Sequence, residues 1–117
     1  MRELEAFELV ILRRPANAPA YDEETLDRLQ AEHLAYRDQL RAQGVLALNG
    51  PVIDQPDESL RGLSFFRTGS HAEALRLSEQ DPMYLAGRLE YDVMTYWCPA
   101  GSITMAGRAF TLDDGAG

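Results

Sequence analysis

In AEHLAYRDQLRAQGVLALNGP, Ala31 to Pro51, the apolar spacing changes at Gly44. From Asp22 or Glu23 to Gln43 the chain has neither glycine nor proline, its first residues are acids suited to a helix N-terminus, and Gly44 is a good residue to follow the last turn. This predicts helix one. At about 100° per residue, Leu26, Leu29, His33, Tyr36 and Leu40 fall within an arc of about 80°, so a histidine lies in the middle of an apolar stripe. After Gly44, Val45 to Asn49 read as a short strand ended by Gly50 and Pro51.

Upstream, Phe7 to Leu12 (FELVIL) is apolar on both sides, as in a strand covered on both faces. The proline-containing Arg13 to Glu24 segment is a loop and a candidate pocket rim. Downstream, Val52 to Arg61 is a loop and Gly62 to Arg67 a third strand. A second helix is opened by Ser70 with Glu73 three residues on, the spacing of a capping box. Asp81-Pro82 starts a short helical turn closed by Gly87. Leu89 to Trp97 alternates, with Leu89, Tyr91, Val93 and Trp97 on one side.

The resulting order, β α β β α β, packs as a ferredoxin-like α+β unit, a four-stranded antiparallel sheet with two helices on one face. The other face then has no cover within the chain. Strand one is apolar on that side too, and Met94 and Tyr96 add to it, so the expected partner is a second copy, sheet to sheet, in a barrel-like arrangement. Residues 1–97 form the domain. Residues 98–117 form an extension, either flexible or packed on the dimer partner, with one short apolar stretch from Ile103 to Ala106.

Nineteen acidic and eleven basic residues give a net charge of −8, which argues against nucleic acid or an anionic membrane as partner. No apolar run approaches the ~20 residues of a membrane span, and the acidic start MRELEAFELV is unlike a secretory signal, so a cytoplasmic location is expected. The single Cys98 has no partner for a disulfide or a metal site. Phosphate-binding glycine loops, GxSxG and HExxH are absent, and neither a cofactor nor a metal is expected.

His33 is the first candidate for chemistry, because imidazole is the side chain best suited to proton transfer near neutral pH. The alternative is a buried histidine bonded to a carbonyl. Asp81 is the natural partner, since a carboxylate on one ring nitrogen fixes the tautomer, although an aspartate before proline is also a common helix cap. His71, at the start of helix two, reads as exposed. Arg37 can meet an anionic substrate or pair with Glu32 or Asp38. Tyr36 and Tyr84 are candidates to line a pocket, with packing as the alternative.

HLAYRDQLRAQGVLALNGP and EALRLSEQDPMYLAGRLEYDV together resemble the YciI-like family, the YCII-related domains of the dimeric α/β barrel superfamily, over roughly residues 5 to 97. The resemblance implies a dimer of ferredoxin-like protomers and an active-site pair carried by His33 and Asp81. On that basis the function expected is a cofactor-independent enzyme of lyase, dehalogenase or isomerase type acting on a small, cyclic or aromatic organic molecule. His33 is its general acid/base and Asp81 orients it, with Tyr36, Arg37, Gly50, Pro51 and Tyr84 contacting substrate. The alternative is a non-catalytic metabolite-binding or interaction module of the same fold.

Overall fold

The computed structural model of the chain describes residues 1–103 and 110–112. Strand β1 (Leu4–Arg13) leads into helix α1 (Glu23–Ala42), then β2 (Leu46–Pro51), β3 (Leu60–Phe66), α2 (His71–Ser78), the single-turn α3 (Pro82–Leu85) and β4 (Glu90–Pro99). The sheet order is β2-β3-β1-β4, with every neighbouring pair antiparallel and the helices on one face. This is the expected α+β ferredoxin-like fold.

Local signals set the helix limits. The Asp22 carboxylate accepts from the Thr25 N–H at 2.9 Å, satisfying a first-turn donor that has no carbonyl within the helix. At the other end Gly44 takes φ +81°, a conformation open to glycine. The N–H groups of Gly44 and Val45 then reach back to the carbonyls of Arg41 and Leu40, closing α1 as a Schellman motif.

Alternation along the strands divides the side chains between two faces. Toward the helices, Val10 and Leu12 of β1, Leu46 of β2 and Phe66 of β3 pack with Leu29 and Leu40 of α1, Ala74 of α2 and Met83 of α3. Burial of each large side chain here contributes ~1.5–3 kcal/mol. On the opposite face Leu9 stands between Phe65 and Met94, Phe7 beside Tyr96, and Ile11 beside Leu63. Phe65 meets Phe7 and Tyr96 edge-on, at centroid distances of 6.1 and 5.3 Å. At one end Phe7 is only 5% exposed and lines a cavity with Gly101 and Ile103 from beyond β4, while Leu48, Met94 and Tyr96 are exposed.

Several details depart from expectation. Gly50 and Pro51 belong to β2 and pair with Leu63 and Gly62 rather than ending the strand. β2 is an edge strand, where a proline N–H is not needed by the ladder. Only half the capping box forms: Ser70 Oγ accepts from Glu73 N–H, but the Glu73 carboxylate turns to Arg76, while Ser70 N–H donates to Thr68 Oγ1. Trp97 keeps the side of β4 shared with Tyr91 and Val93. It lies past the start of α2, where His71 meets Thr95, and is 69% exposed. β4 runs through Cys98 to Pro99, two residues beyond the expected end. Of the short apolar stretch expected from Ile103 to Ala106, residues 104–106 lie outside the described residues. No helix of the described residues is long and apolar enough to cross a membrane.

Candidate active site

Three elements converge beneath the sheet's helix-covered face. α1 presents His33 and Arg37 one turn apart, α3 begins at Asp81, and β3 contributes Ser64. Asp81 lies there because its side chain caps α3, Oδ1 accepting from the Met83 N–H at 2.8 Å, while Pro82 fills the first helical position. Its second oxygen is thereby free to face α1. Oδ2 accepts from Arg37 Nε at 2.9 Å and lies 2.6 Å from His33 Nδ1.

Asp81 is 0% exposed and Arg37 1%. Burial alone would push the Asp81 carboxyl up, but the His33 hydrogen bond and charge, the Arg37 charge and the Met83 N–H together hold it below the usual carboxylate range. The group is therefore an anion and can only accept hydrogen bonds. It follows that the proton between Asp81 and His33 sits on Nδ1. When the ring is neutral, Nε2 carries a lone pair, and no group among the described residues hydrogen bonds to it.

Behind the pair a polar network fixes Arg37. Its terminal nitrogens donate to Ser64 Oγ and to the Tyr91 hydroxyl, each at 3.3 Å, and its guanidinium lies 6.0 Å from the centre of the Tyr91 ring. Ser64 Oγ in turn donates to Asn49 Oδ1 at 2.6 Å, and Tyr91 donates to the Ser78 carbonyl at 2.8 Å. Burial raises the Tyr91 hydroxyl well above its ordinary pKa, keeping it a neutral donor.

In front of the pair lies a cleft of about 200 Å³, into whose lining His33 enters with its side chain 13% exposed. Gly50, Pro51 and Gly62 border it where β2 meets β3. The strands approach closely there: a Cβ on Gly62 would stand 2.7 Å from the Gly50 carbonyl oxygen. Leu12, Leu34, Met83 and Leu89 supply an apolar wall, and Arg14, Gln30, Asn49 and Arg61 the polar groups.

Thus, of the residues singled out in the sequence, His33 and Asp81 are in contact, and Gly50 and Pro51 share the cleft with His33. Tyr36, Arg37 and Tyr84 do not border it. The Tyr36 hydroxyl donates to the Leu77 carbonyl at 2.6 Å, tying α1 to α2. Tyr84 stacks on Tyr91 at 5.4 Å and donates to Glu79. Arg37 pairs with neither Glu32 nor Asp38. At about 20° from Leu26 on the helical wheel it lies on the inner face, where a guanidinium stays only if paired, and Asp81 is the anion within reach. That angle was the available signal for its burial. Arg14 lay in the segment expected to form a rim. Gln30, Asn49 and Arg61 had no sequence signal, because the cleft wall is assembled from distant strands. His71 is exposed, with Nε2 2.8 Å from Thr95 Oγ1.

Comparison with curated proteins gives no significant match. Among solved structures the chain is similar to the 5-chloro-2-hydroxyhydroquinone dehydrochlorinase of Burkholderia phenoliruptrix in complex with 2,5-dihydroxybenzoquinone, with 18% identity and a TM-score of 0.54 over 77% of this chain and 90% of that one. At that identity the likeness shows the fold. The sequence pattern of the YCII-related domain matches residues 8–97, from within β1 almost to the end of β4, and the chain belongs to this family.

Proposed function

We propose that this chain is a small-molecule enzyme of the lyase, dehalogenase or isomerase type, in which His33 Nε2 moves a proton and Asp81 holds the ring. The observation that carries this reading is the 2.6 Å contact that commits Nδ1 to an ionised, fully buried carboxylate while the same histidine lines a cleft. In the forward step Nε2 takes a proton from carbon. The C–H electron pair then either forms a double bond as a leaving group departs from the adjacent carbon with its own pair, or returns as a new C–H bond elsewhere on the substrate. Asp81 stabilises the imidazolium in between. The dehydrochlorination named for the structural relative likewise removes a proton and a chloride.

The test is chloride release from 5-chloro-2-hydroxyhydroquinone together with deuterium uptake from D₂O into a panel of small cyclic carbon acids. Wild type is expected to act on at least one of these, and His33→Ala to lose about 100-fold or more while remaining folded. Equal rates in the two proteins would overturn the reading.

A second reading draws on Arg37, which shares Asp81 Oδ2 with His33. On that reading Asp81 serves the buried arginine and the α3 cap, and the cleft binds a metabolite without converting it. A compound that raises Tm and is recovered unchanged would favour it. For either reading the protomer is proposed to pair with a second copy through the sheet face opposite the helices, as the apolar row around Leu9 and Phe65 favours.

A further inference from the structure

All eleven basic residues of the chain are arginines, against nineteen acids. Arg13, Arg28, Arg37, Arg41 and Arg76 each have an acidic partner. Arg2, Arg14, Arg61, Arg67 and Arg88 have none among the described residues, and of these Arg14 and Arg61 line the cleft that contains His33. Their hydrogen bonds go to backbone carbonyls, Arg14 Nε to Arg88 at 2.8 Å and Arg61 to Glu58 at 3.3 Å. No aspartate or glutamate borders the cleft. A strongly acidic protein thus leaves two cations facing one small cavity.

We propose that the cleft takes a small organic anion, a carboxylate or phenolate on an apolar body, whose charged oxygen is held by Arg14 and Arg61 and whose apolar part lies against Leu12, Met83 and Leu89. The proposal rests on the acid/base reading of His33 only for what happens to the ligand, not for its binding. A volume of about 200 Å³ is below the ~300–1,000 Å³ of pockets for drug-sized ligands, so the ligand is small. Burial first, then the charges of Arg88 and Arg61, hold the Arg14 guanidinium below its ordinary pKa, a mutual repulsion that a bound anion relieves. Guanidinium groups also fit planar anions in two-pronged hydrogen bonds.

The test is calorimetric titration of the intact protein with benzoate and 4-nitrophenolate, with benzamide as the neutral counterpart. Benzoate or 4-nitrophenolate is expected to bind about tenfold or more tighter than benzamide, and to perturb the His33 ring resonances. Arg14→Gln and Arg61→Gln should each weaken the anion about tenfold and leave benzamide unchanged. Arg61 is exposed, so its substitution keeps the test valid if Arg14→Gln fails to fold. Benzamide bound as tightly as the anions, no saturable binding of either anion, or unaltered affinity in Arg61→Gln would overturn the proposal. If the anions bind as expected and His33→Ala turns over substrate like wild type, the acid/base reading falls and the anion site stands. If His33→Ala is inactive and the arginine substitutions change nothing, the reverse holds.

Discussion

Under the helices the sheet and its cover bury Glu8, Arg37, Ser64 and Asp81 among Val10, Leu12 and Phe66, whereas the opposite side presents Leu9, Ile11, Leu63 and Phe65 next to exposed Met94 and Tyr96. Buried charges persist only when paired and hydrogen-bonded, which Asp81 achieves with Arg37, His33 and the Met83 N–H, and Glu8 with Thr68 and the Gly69 N–H. Of the two networks, the one around Asp81 sets a histidine in the lining of a cleft. On the proposed function, the covered face keeps its polar groups for proton transfer, and on the proposed pairing the other face offers its apolar row to a second copy.

The largest effect should come from removing the shared anion. Asp81→Ala leaves the Arg37 guanidinium buried without a counter-charge and uncaps α3, so stability in urea unfolding should fall by about 3–5 kcal/mol. A loss well under 1 kcal/mol would mean that the covered face tolerates the free charge. Next is the opposite face: Met94→Glu should turn a dimer into a folded monomer in sedimentation, with dissociation raised about 100-fold, equivalent to about 2.8 kcal/mol. A wild type that sediments as a monomer at high concentration would remove the second half of the comparison.

His33→Ala should be milder in stability, about 1 kcal/mol or less, because Asp81 keeps Arg37 and the cap and water can enter from the cleft. Turnover should nonetheless collapse. A stability loss as large as that of Asp81→Ala would make His33 a structural partner instead.

The smallest effect is in the pH dependence. Because the folded-state pKa of Asp81 is depressed, its stabilisation is complete above the ordinary carboxylate range and is lost as pH falls through the lower folded value. The stability gap between wild type and Asp81→Asn should therefore be constant above the ordinary carboxylate range and close as the pH falls below it, by acid and urea titration together. A gap that widened on acidification would contradict the sign of the shift.

Most of the fold was legible because the chain marks its own boundaries. Gly44, Ser70, Asp81-Pro82 and the alternation of Leu89 to Val93 each correspond to a physical feature of the structure. Pro51 misled because its tolerance depends on β2 being an edge, a fact of the assembled sheet. The contact of His33 with Asp81 was suggested by family resemblance rather than by spacing, since 48 residues separate the two. Arg37 was harder still. Its burial needs an anion from another element, and a charged residue on a helix is ordinarily read as facing water. Arg14 and Arg61 come together only when β1 and β3 pair, so their joint exposure to one cleft was not visible along the chain.

The most direct measurement is ¹⁵N NMR of the His33 ring at a pH where it is neutral, in wild type and in Asp81→Asn. The expected result is a single tautomer with the proton on Nδ1 and Nε2 bare, giving way to a mixture once the carboxylate is gone. A proton on Nε2 in wild type, or a ring indifferent to Asp81→Asn, would contradict the claim that Asp81 prepares His33 for proton transfer.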